Sequence, residues 1–149
     1  MNTFQRLMVS RAEFLQAFRD QQPDNEWWLD RQTGELIFIS PDVAAEEEHE
    51  LDVEALKRSE PQRLLAIVPV SSRQAYRLMQ QFVEQLDDQH AATVLSEAIK
   101  QKRAFFQFQD RLHDFPGLRE QWLAAEQQGM SELAEQWLKQ QGIAVDWQP

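Results

Sequence analysis

The sequence predicts an α+β fold in which an N-terminal helix and a small antiparallel sheet precede a bundle of about five helices. The sheet is indicated by the two aromatic and branched runs of WWLDRQTGELIFIS, which flank a glycine-containing turn, and by a third run, LLAIVPV. The bundle is indicated by apolar residues that recur at helical spacing from Ser71 to residue 141. Because 149 residues are the size of one ordinary domain, we expect a single domain over residues 1–149.

One helix and a hairpin are predicted over residues 10–40. Ser10 followed by Glu13 has the spacing of a capping box, which marks the start of the helix, and apolar residues at helical spacing continue it to Phe18. In the hairpin, Gly34 can take the positive φ that a tight loop requires.

An acidic segment, residues 41–62, follows the hairpin. It is predicted to be a linker or a solvated helix, because blocks of like charge are usually solvated. His49 lies among five acidic residues, which are ligand types for a divalent cation. Because no second histidine stands at helical spacing and no glycine is available for a calcium loop, we predict no metal site here.

A strand and the helical bundle are predicted over residues 63–143. LLAIVPV is predicted as a third, buried strand of the sheet. Gly142 stands where a helix end favours a left-handed residue, and residues 144–149 are expected to form a tail whose Trp147 docks as an edge strand or a latch. The helices are predicted to begin at Ser71 or Ser72, at Asp87 or Asp88, near residue 103, at Pro116 and at Ser131.

Residues 103–122, RAFFQFQDRLHDFPGLREQW, combine four phenylalanines and a tryptophan with three arginines. Phe106 lies about 100° from the apolar side of this helix, on the side of His113, so its ring is the one predicted to be available to a ligand. The predicted core side consists of residues at helical spacing, namely Phe105, Phe108, Leu112 and Phe115.

The net charge of −10 is unevenly spread along the chain. Residues 1–60 carry 14 acids and 6 bases, residues 61–115 carry 6 and 7, and residues 116–149 carry 5 and 2. An acidic protein repels phosphate backbones at long range, so nucleic-acid binding would depend on the central basic helices. The absence of cysteine excludes disulfides and thiolate chemistry. Neither a signal peptide nor a membrane-spanning run is recognisable, so we expect a soluble, cytoplasmic protein with no membrane partner.

Three blocks of sequence carry a family resemblance: WWLDRQTGELIFIS, LLAIVPVSSRQAYRLMQQFVEQL, and FFQFQDRLHDFPGLREQW followed by AEQWLKQQGI. In order and spacing, they resemble uncharacterised protein family 0158, a bacterial family of small proteins, over about residues 10–143. The resemblance implies an α+β domain and no particular activity, cofactor or catalytic residue. The chain departs from the family pattern at Arg103, where the pattern has a glycine, and at Gln107 and Gln109, where it has basic residues. If those basic residues serve a phosphate-bearing partner in relatives, this chain has weakened that site.

Patterns typical of catalysis are not found. The four glycines are too widely separated for a phosphate-binding loop, and the three histidines form no metal-binding pair. Asp30 and Thr33 lie in the hairpin turn, where such side chains usually bond to nearby backbone N–H groups. The carboxylate pairs Glu26 with Asp30 and Asp87 with Asp88 leave a hydrolase as the second alternative. We expect a protein that is not an enzyme and that has no catalytic residue, no metal and no cofactor.

The leading hypothesis is a non-catalytic binding or adaptor protein that acts through protein contacts, with an unidentified protein or a second copy of the chain as its partner. Trp27 and Trp28 are adjacent on a strand and lie on opposite faces, so one of them can point away from the core and serve as a hot spot. The alternative is a nucleic-acid-associated protein that uses the central basic helices. The candidate binding residues are Trp28, Arg73, Arg77, Phe106, Arg111 and His113.

Overall fold

The structure is a computed structural model that describes residues 4–41 and 47–149. It divides into two compact units, which are described separately below. Unit 1 comprises the chain up to Val70 together with Leu133–Pro149, and unit 2 comprises Ser71–Glu132. The expectation of a single domain stays a prediction.

The combination of helices with a small antiparallel sheet confirms the predicted α+β class. In chain order the helices and strands of the described residues are β1 (Gln5–Ser10), α1 (Arg11–Arg19), β2 (Glu26–Asp30), β3 (Leu36–Ile39), α2 (Glu47–Ser59), β4 (Leu64–Ala66), α3 (Ser72–Glu84), α4 (Gln89–Ile99), α5 (Ala104–Leu112), α6 (Pro116–Gln140) and β5 (Ile143–Gln148).

Strands β2, β3 and β4 form the predicted antiparallel sheet in unit 1, in the order β3-β2-β4. Trp28, on the central strand, lies opposite Ile37 on one side and Ala66 on the other. The hairpin turn has the predicted side-chain bonds, because the Gln32 N–H donates to Asp30 Oδ1 at 2.9 Å. The hairpin and the third strand are therefore confirmed. The prediction that the third strand is buried is wrong, because β4 is an edge strand of three residues, of which only Leu64 is buried.

A second sheet in unit 1 was not predicted. Strands β1 and β5 pair in parallel, so residues near the start of the chain lie beside the predicted tail. Strand β1 precedes the helix expected at Ser10, and its buried Leu7 and Val9 alternate with exposed Arg6 and Met8, as in a strand with one buried face. The tail is therefore an edge strand, one of the two forms expected for it.

The core of unit 1 combines helix α1 with the C-terminal part of the chain. Phe14 is fully buried, and its ring centroid lies 6.3 Å from that of Trp137 and 5.6 Å from that of Trp147. The indole N–H of Trp147 donates to Glu135 Oε1 at 2.7 Å. These contacts join α1, the end of α6 and β5, and so connect the two ends of the chain.

The acidic segment contains helix α2, which agrees with the solvated-helix form of the prediction for residues 47–59. Val53 is only 1% exposed, so one side of this helix is buried. The structure does not describe residues 42–46 or the side chains of residues 47–52, which include that of His49. The prediction that His49 binds no metal therefore stays a prediction.

Unit 2 consists of helices α3, α4 and α5 and most of α6. Ser71 forms a capping box with Gln74, and Asp88 caps α4 by accepting from the N–H groups of His90 and Ala91, as the sequence predicts for these starts. The core contains buried residues from all four helices: Met79, Val83, Leu95, Ile99, Phe108, Leu112 and Trp122.

The predicted helix start at Ser131 is wrong, since α6 runs without a break from Pro116 to Gln140. Ser131 is buried, and its hydroxyl donates to the Gln127 carbonyl oxygen one turn earlier at 2.8 Å. A serine hydroxyl inside a helix can donate to a backbone carbonyl in this way. A serine therefore indicates the start of a helix only when the residues before it are not helical. Gly142 has φ +83°, as predicted for a helix end.

Gly34 and Gly142 provide a matched test of the close packing at the hairpin. Both have positive φ, but a Cβ on Gly34 would lie 2.0 Å from the Met8 carbonyl oxygen, whereas a Cβ on Gly142 would meet nothing within 4 Å. We expect Gly34→Ala to lower the free energy of unfolding by more than about 3 kcal/mol, because a backbone clash adds to the strain in φ. Gly142→Ala should cost about 1 kcal/mol from φ alone. Urea denaturation measures both changes, and equal losses of unfolding free energy in the two variants would contradict the predicted clash at Gly34.

Candidate functional site

Two adjacent phenylalanines are exposed at the start of helix α5. Phe106 is 53% exposed, in agreement with the prediction that it lies off the core side, and Phe105 is 45% exposed. The prediction that Phe105 faces the core is wrong, because the buried side of α5 begins one residue earlier and is formed by Ala104, Phe108 and Leu112. An apolar ring pair is therefore available on the surface of unit 2.

Arg103 sets the start of this helix with an unusual backbone conformation. Its φ of 59° and ψ of 49° place it in the left-handed region, which is strained for a residue with a side chain. A glycine at this position would relieve the strain, because it has no Cβ. The guanidinium carbon of Arg103 lies 4.9 Å from the centroid of the Phe106 ring. The arginine thus places a positive charge over one face of the exposed ring.

Basic side chains on α3 and after α4 lie in the same unit. Arg73 and Arg77 are exposed and one turn apart on α3, as predicted, and the Tyr76 hydroxyl between them in sequence donates to the Ile99 carbonyl oxygen at 3.0 Å. That bond joins this part of α3 to the end of α4, which Lys100 follows. Among the described residues, these cations make no ion pair. We define the basic–aromatic surface as Arg73, Arg77, Lys100, Lys102, Arg103, Phe105 and Phe106.

Two further candidate residues, Arg111 and His113, lie at the other end of α5. Both are exposed, and the His113 N–H donates to the Asp110 carbonyl oxygen at the helix end. Arg111 is roughly 140° around the helix from Phe106, so the two side chains leave the helix in different directions. The structure therefore brings Phe106 closer to Arg103 than to Arg111, and the roles predicted for Arg111 and His113 stay predictions.

Trp28, the remaining candidate residue, belongs to unit 1. It is half-buried, its ring lies 4.3 Å from Lys57 Nζ, and its indole N–H donates to Glu26 Oε1 at 3.3 Å. The neighbouring Trp27 is also half-buried and donates to Asp20 Oδ2 at 2.8 Å. Both tryptophans therefore have partners within unit 1, and a hot-spot role for Trp28 stays a prediction.

The predicted carboxylate pair Glu26 and Asp30 contains one carboxylate that is already engaged. Asp30 is 5% exposed and accepts two hydrogen bonds from Arg63, with Nε to Oδ1 at 3.0 Å and Nη2 to Oδ2 at 2.9 Å. Burial raises the pKa of Asp30, but the hydrogen bonds and charge of Arg63 and the Gln32 N–H outweigh it and leave the pKa below its ordinary value. Asp30 is therefore ionised at neutral pH and is unsuited to act as a general acid.

The second carboxylate pair, Asp87 and Asp88, also has a structural explanation in part. Asp88 caps α4, and both side chains are exposed. Within residues 4–41 and 53–149, no group of three or more acidic or histidine side chains is arranged to hold a metal ion. No helix of the described part of the chain is long and apolar enough to cross a membrane.

Two comparisons with known proteins agree with the family resemblance of the sequence. The profile described as "Uncharacterised protein family (UPF0158)" matches residues 5–148. The chain belongs to this family. "UPF0158 protein PA5073" of Pseudomonas aeruginosa is 33% identical over 127 residues, which cover 85% of this chain and 80% of that protein. No solved structure matches the chain significantly. Neither description names an activity, a ligand or a partner. The UPF0158 match includes β1 and residues 144–148 of β5, which lie outside the blocks noted above.

The Asp30–Arg63 pair predicts a specific dependence of stability on pH. Folding lowers the pKa of Asp30. The stability that its charge contributes should therefore be fully present above the unfolded pKa of about 4 and should be lost as the pH falls through the folded pKa. We expect Asp30→Asn to lower the free energy of unfolding by about 3 kcal/mol at neutral pH, since Arg63 would lose a charged partner. The difference from the unsubstituted protein should shrink as pH falls below about 4 in urea denaturation.

Asp146→Asn is the matched control for this measurement. Asp146 also pairs with an arginine, Arg6, at 2.8 Å, but both side chains are exposed. The control should change stability little, because solvent and salt screen exposed pairs. A loss for Asp30→Asn that stayed constant from neutral to acid pH would contradict the role given to the carboxylate charge.

Arg103 allows a test of backbone strain at the basic–aromatic surface. Both Arg103→Gly and Arg103→Ala remove the charge over Phe106, but only glycine removes the steric strain of the left-handed conformation. We expect the glycine variant to be more stable than the alanine variant by about 1 kcal/mol in urea denaturation. An alanine variant as stable as the glycine variant would show that the strain is absent.

Proposed function

We propose that this chain is a non-catalytic, cytoplasmic binding protein that acts through protein contacts, and that the basic–aromatic surface is its binding site. The observation that carries the proposal is the exposure of Phe105 and Phe106 side by side on α5. Exposed apolar groups in clusters are typical of interaction sites, and aromatic side chains contribute strongly to protein interfaces.

The position of the two rings supports a binding role over a structural one. Phe108 and Trp122 already supply the rings of the unit 2 core, with centroids 4.9 Å apart, and Phe82 lies 5.4 Å from Trp122. Phe105 and Phe106 are outside that cluster, so removing them leaves these core contacts in place. A surface that can be changed without loss of the core is well suited to a direct test.

Nucleic-acid binding is the second candidate function, favoured by the five cations of the same surface. Arg73→Ala combined with Arg77→Ala should then weaken binding to single- or double-stranded oligonucleotides and reduce its dependence on salt. Fluorescence titration at two salt concentrations makes this measurement. Absence of salt-sensitive binding, or binding unchanged in the double variant, would remove this candidate.

A hydrolase is the weakest of the three functions. Of the four carboxylates predicted for it, Asp30 is held by Arg63 and Asp88 by helix N–H groups. Each of the two predicted pairs thus contains a carboxylate with a structural bond.

The protein-binding proposal predicts a partner whose retention depends on Phe105 and Phe106. Size-exclusion chromatography with light scattering would detect self-association, and affinity capture followed by reconstitution with the purified partner would detect another protein. We expect Phe105→Ser with Phe106→Ser to reduce affinity by about tenfold or more, because the interface loses two aromatic anchors. The urea midpoint should change little, since both rings are exposed.

Leu123→Ser is the matched control for the double variant. Leu123 is also a large apolar side chain of unit 2 and is 48% exposed, but it is outside the basic–aromatic surface. Binding should survive this change. A strict monomer that retains no stoichiometric partner, or a partner equally weakened by Leu123→Ser, would overturn the proposed function.

A further inference from the structure

We propose that the basic–aromatic surface recognises an acidic polypeptide segment that also carries aromatic or aliphatic side chains. This inference rests on the proposed function and names the chemistry of its partner.

The first observation is that the cations of this surface have no acidic partner among the residues that the structure describes, although the chain is rich in acids. The chain contains 25 acidic and 15 basic residues. In unit 1, three of the described basic side chains pair with acids: Arg6 with Asp146, Lys57 with Glu54 and Arg63 with Asp30. Among the described residues of unit 2, the five cations of the surface make no such pair. Carboxylates of a partner would supply the charge-assisted bonds that the chain leaves unmade.

The second observation is the geometry of the two exposed rings. Phe105 and Phe106 occupy successive helix positions, so their side chains leave α5 about 100° apart and cannot form a parallel stack. Arg103 also lies over one face of the Phe106 ring, 4.9 Å from its centroid. Successive bases need ring faces on which to stack. Diverging rings are better suited to hold an aliphatic or aromatic side chain between them, which favours a polypeptide.

The third observation concerns the exposed acidic residues of unit 2. Glu97 lies near the end of α4, and Glu84, Asp87 and Asp88 lie at the junction of α3 and α4; all four are exposed. A nucleic acid carries a charge at every nucleotide and would meet repulsion wherever it passed these carboxylates. A polypeptide can place acids opposite the cations and neutral residues elsewhere, so the mixed charge of unit 2 favours it as the partner.

Fluorescence anisotropy with defined synthetic probes tests this inference on the full-length protein. The main probe is a short peptide that alternates Asp or Glu with Leu and Phe. One comparison peptide has Asn and Gln in place of the acids, a second keeps the acids and replaces Leu and Phe by Ser, and an oligo-dT strand represents nucleic acid. We expect the acidic apolar peptide to bind most tightly and its affinity to fall as salt rises, because screening weakens exposed charge pairs.

Charge reversal shows whether the named cations are responsible. Lys100→Glu with Lys102→Glu should reduce affinity for the acidic apolar peptide by about tenfold or more, because two attractive contacts become repulsive. Arg58→Glu with Arg119→Glu makes the same change in net charge at exposed positions outside the surface and should leave binding within about twofold. Equal losses in both double variants would mean that net charge, and not this surface, governs binding.

The remaining outcomes separate this inference from the proposed function. Binding of oligo-dT without binding of the acidic apolar peptide would overturn both in favour of a nucleic-acid partner. Equal binding of the neutral apolar peptide would overturn the acidic specificity and leave the protein-binding proposal standing. Failure of every peptide to bind would overturn the inference, while light scattering and partner reconstitution would still decide the proposed function.

Discussion

The bidentate contact between Asp30 and Arg63 is the interaction on which most of unit 1 depends. Asp30 ends β2 and begins the hairpin turn, and Arg63 directly precedes β4, so the pair fixes the central strand against the strand that arrives from α2. The Arg31 N–H also donates to the Arg63 carbonyl oxygen at 2.8 Å. Within the turn, the Gly34 N–H donates to the Asp30 carbonyl oxygen at 2.8 Å. Because Gly34 in turn lies against the Met8 backbone, the same turn positions the parallel pair β1 and β5. Asp30, which the sequence offers both as a turn residue and as half of a carboxylate pair, is thus a structural anchor.

The parts of the fold that the sequence predicts are those encoded by neighbouring residues. The capping box at Ser71, the cap at Asp88, the glycine at the end of α6 and the hairpin around Gly34 all depend on residues a few positions apart. The parallel pairing of β1 with β5 joins the two ends of the chain, and short strands of six residues give no local sign of such a partner. Local patterns can also mislead, as at Ser131, whose hydroxyl bonds within a continuous helix. Local chemistry therefore predicts elements better than their pairing.

The candidate site was predicted in part for the same reason. The spacing of the aromatic stretch correctly separates Phe106 from Phe108 and Leu112, but it cannot locate the first turn of α5, and Phe105 was assigned to the wrong side. The left-handed Arg103 ends the turn that follows α4 and sets where the helix begins. Only the structure shows that the Tyr76 hydroxyl bonds to the end of α4 beside Lys100. Most of the cations can be identified from the sequence, but only a tertiary contact such as this one shows which helix ends lie close together.

The two units use their charges in different ways, and this difference supports recognition by unit 2. In unit 1 the buried Asp30 is stabilised by Arg63, which also bonds to Glu60 at 2.9 Å, so its charges hold strands and turns together. Arg103 instead adopts a strained backbone conformation, and its guanidinium lies over an exposed ring with no acidic partner in the described part of the chain. Backbone strain lowers stability and an exposed apolar pair promotes non-specific association, so a sequence under selection for folding alone would favour glycine at 103 and polar side chains at 105 and 106. Their presence is explained if a partner covers the rings and supplies the missing negative charge.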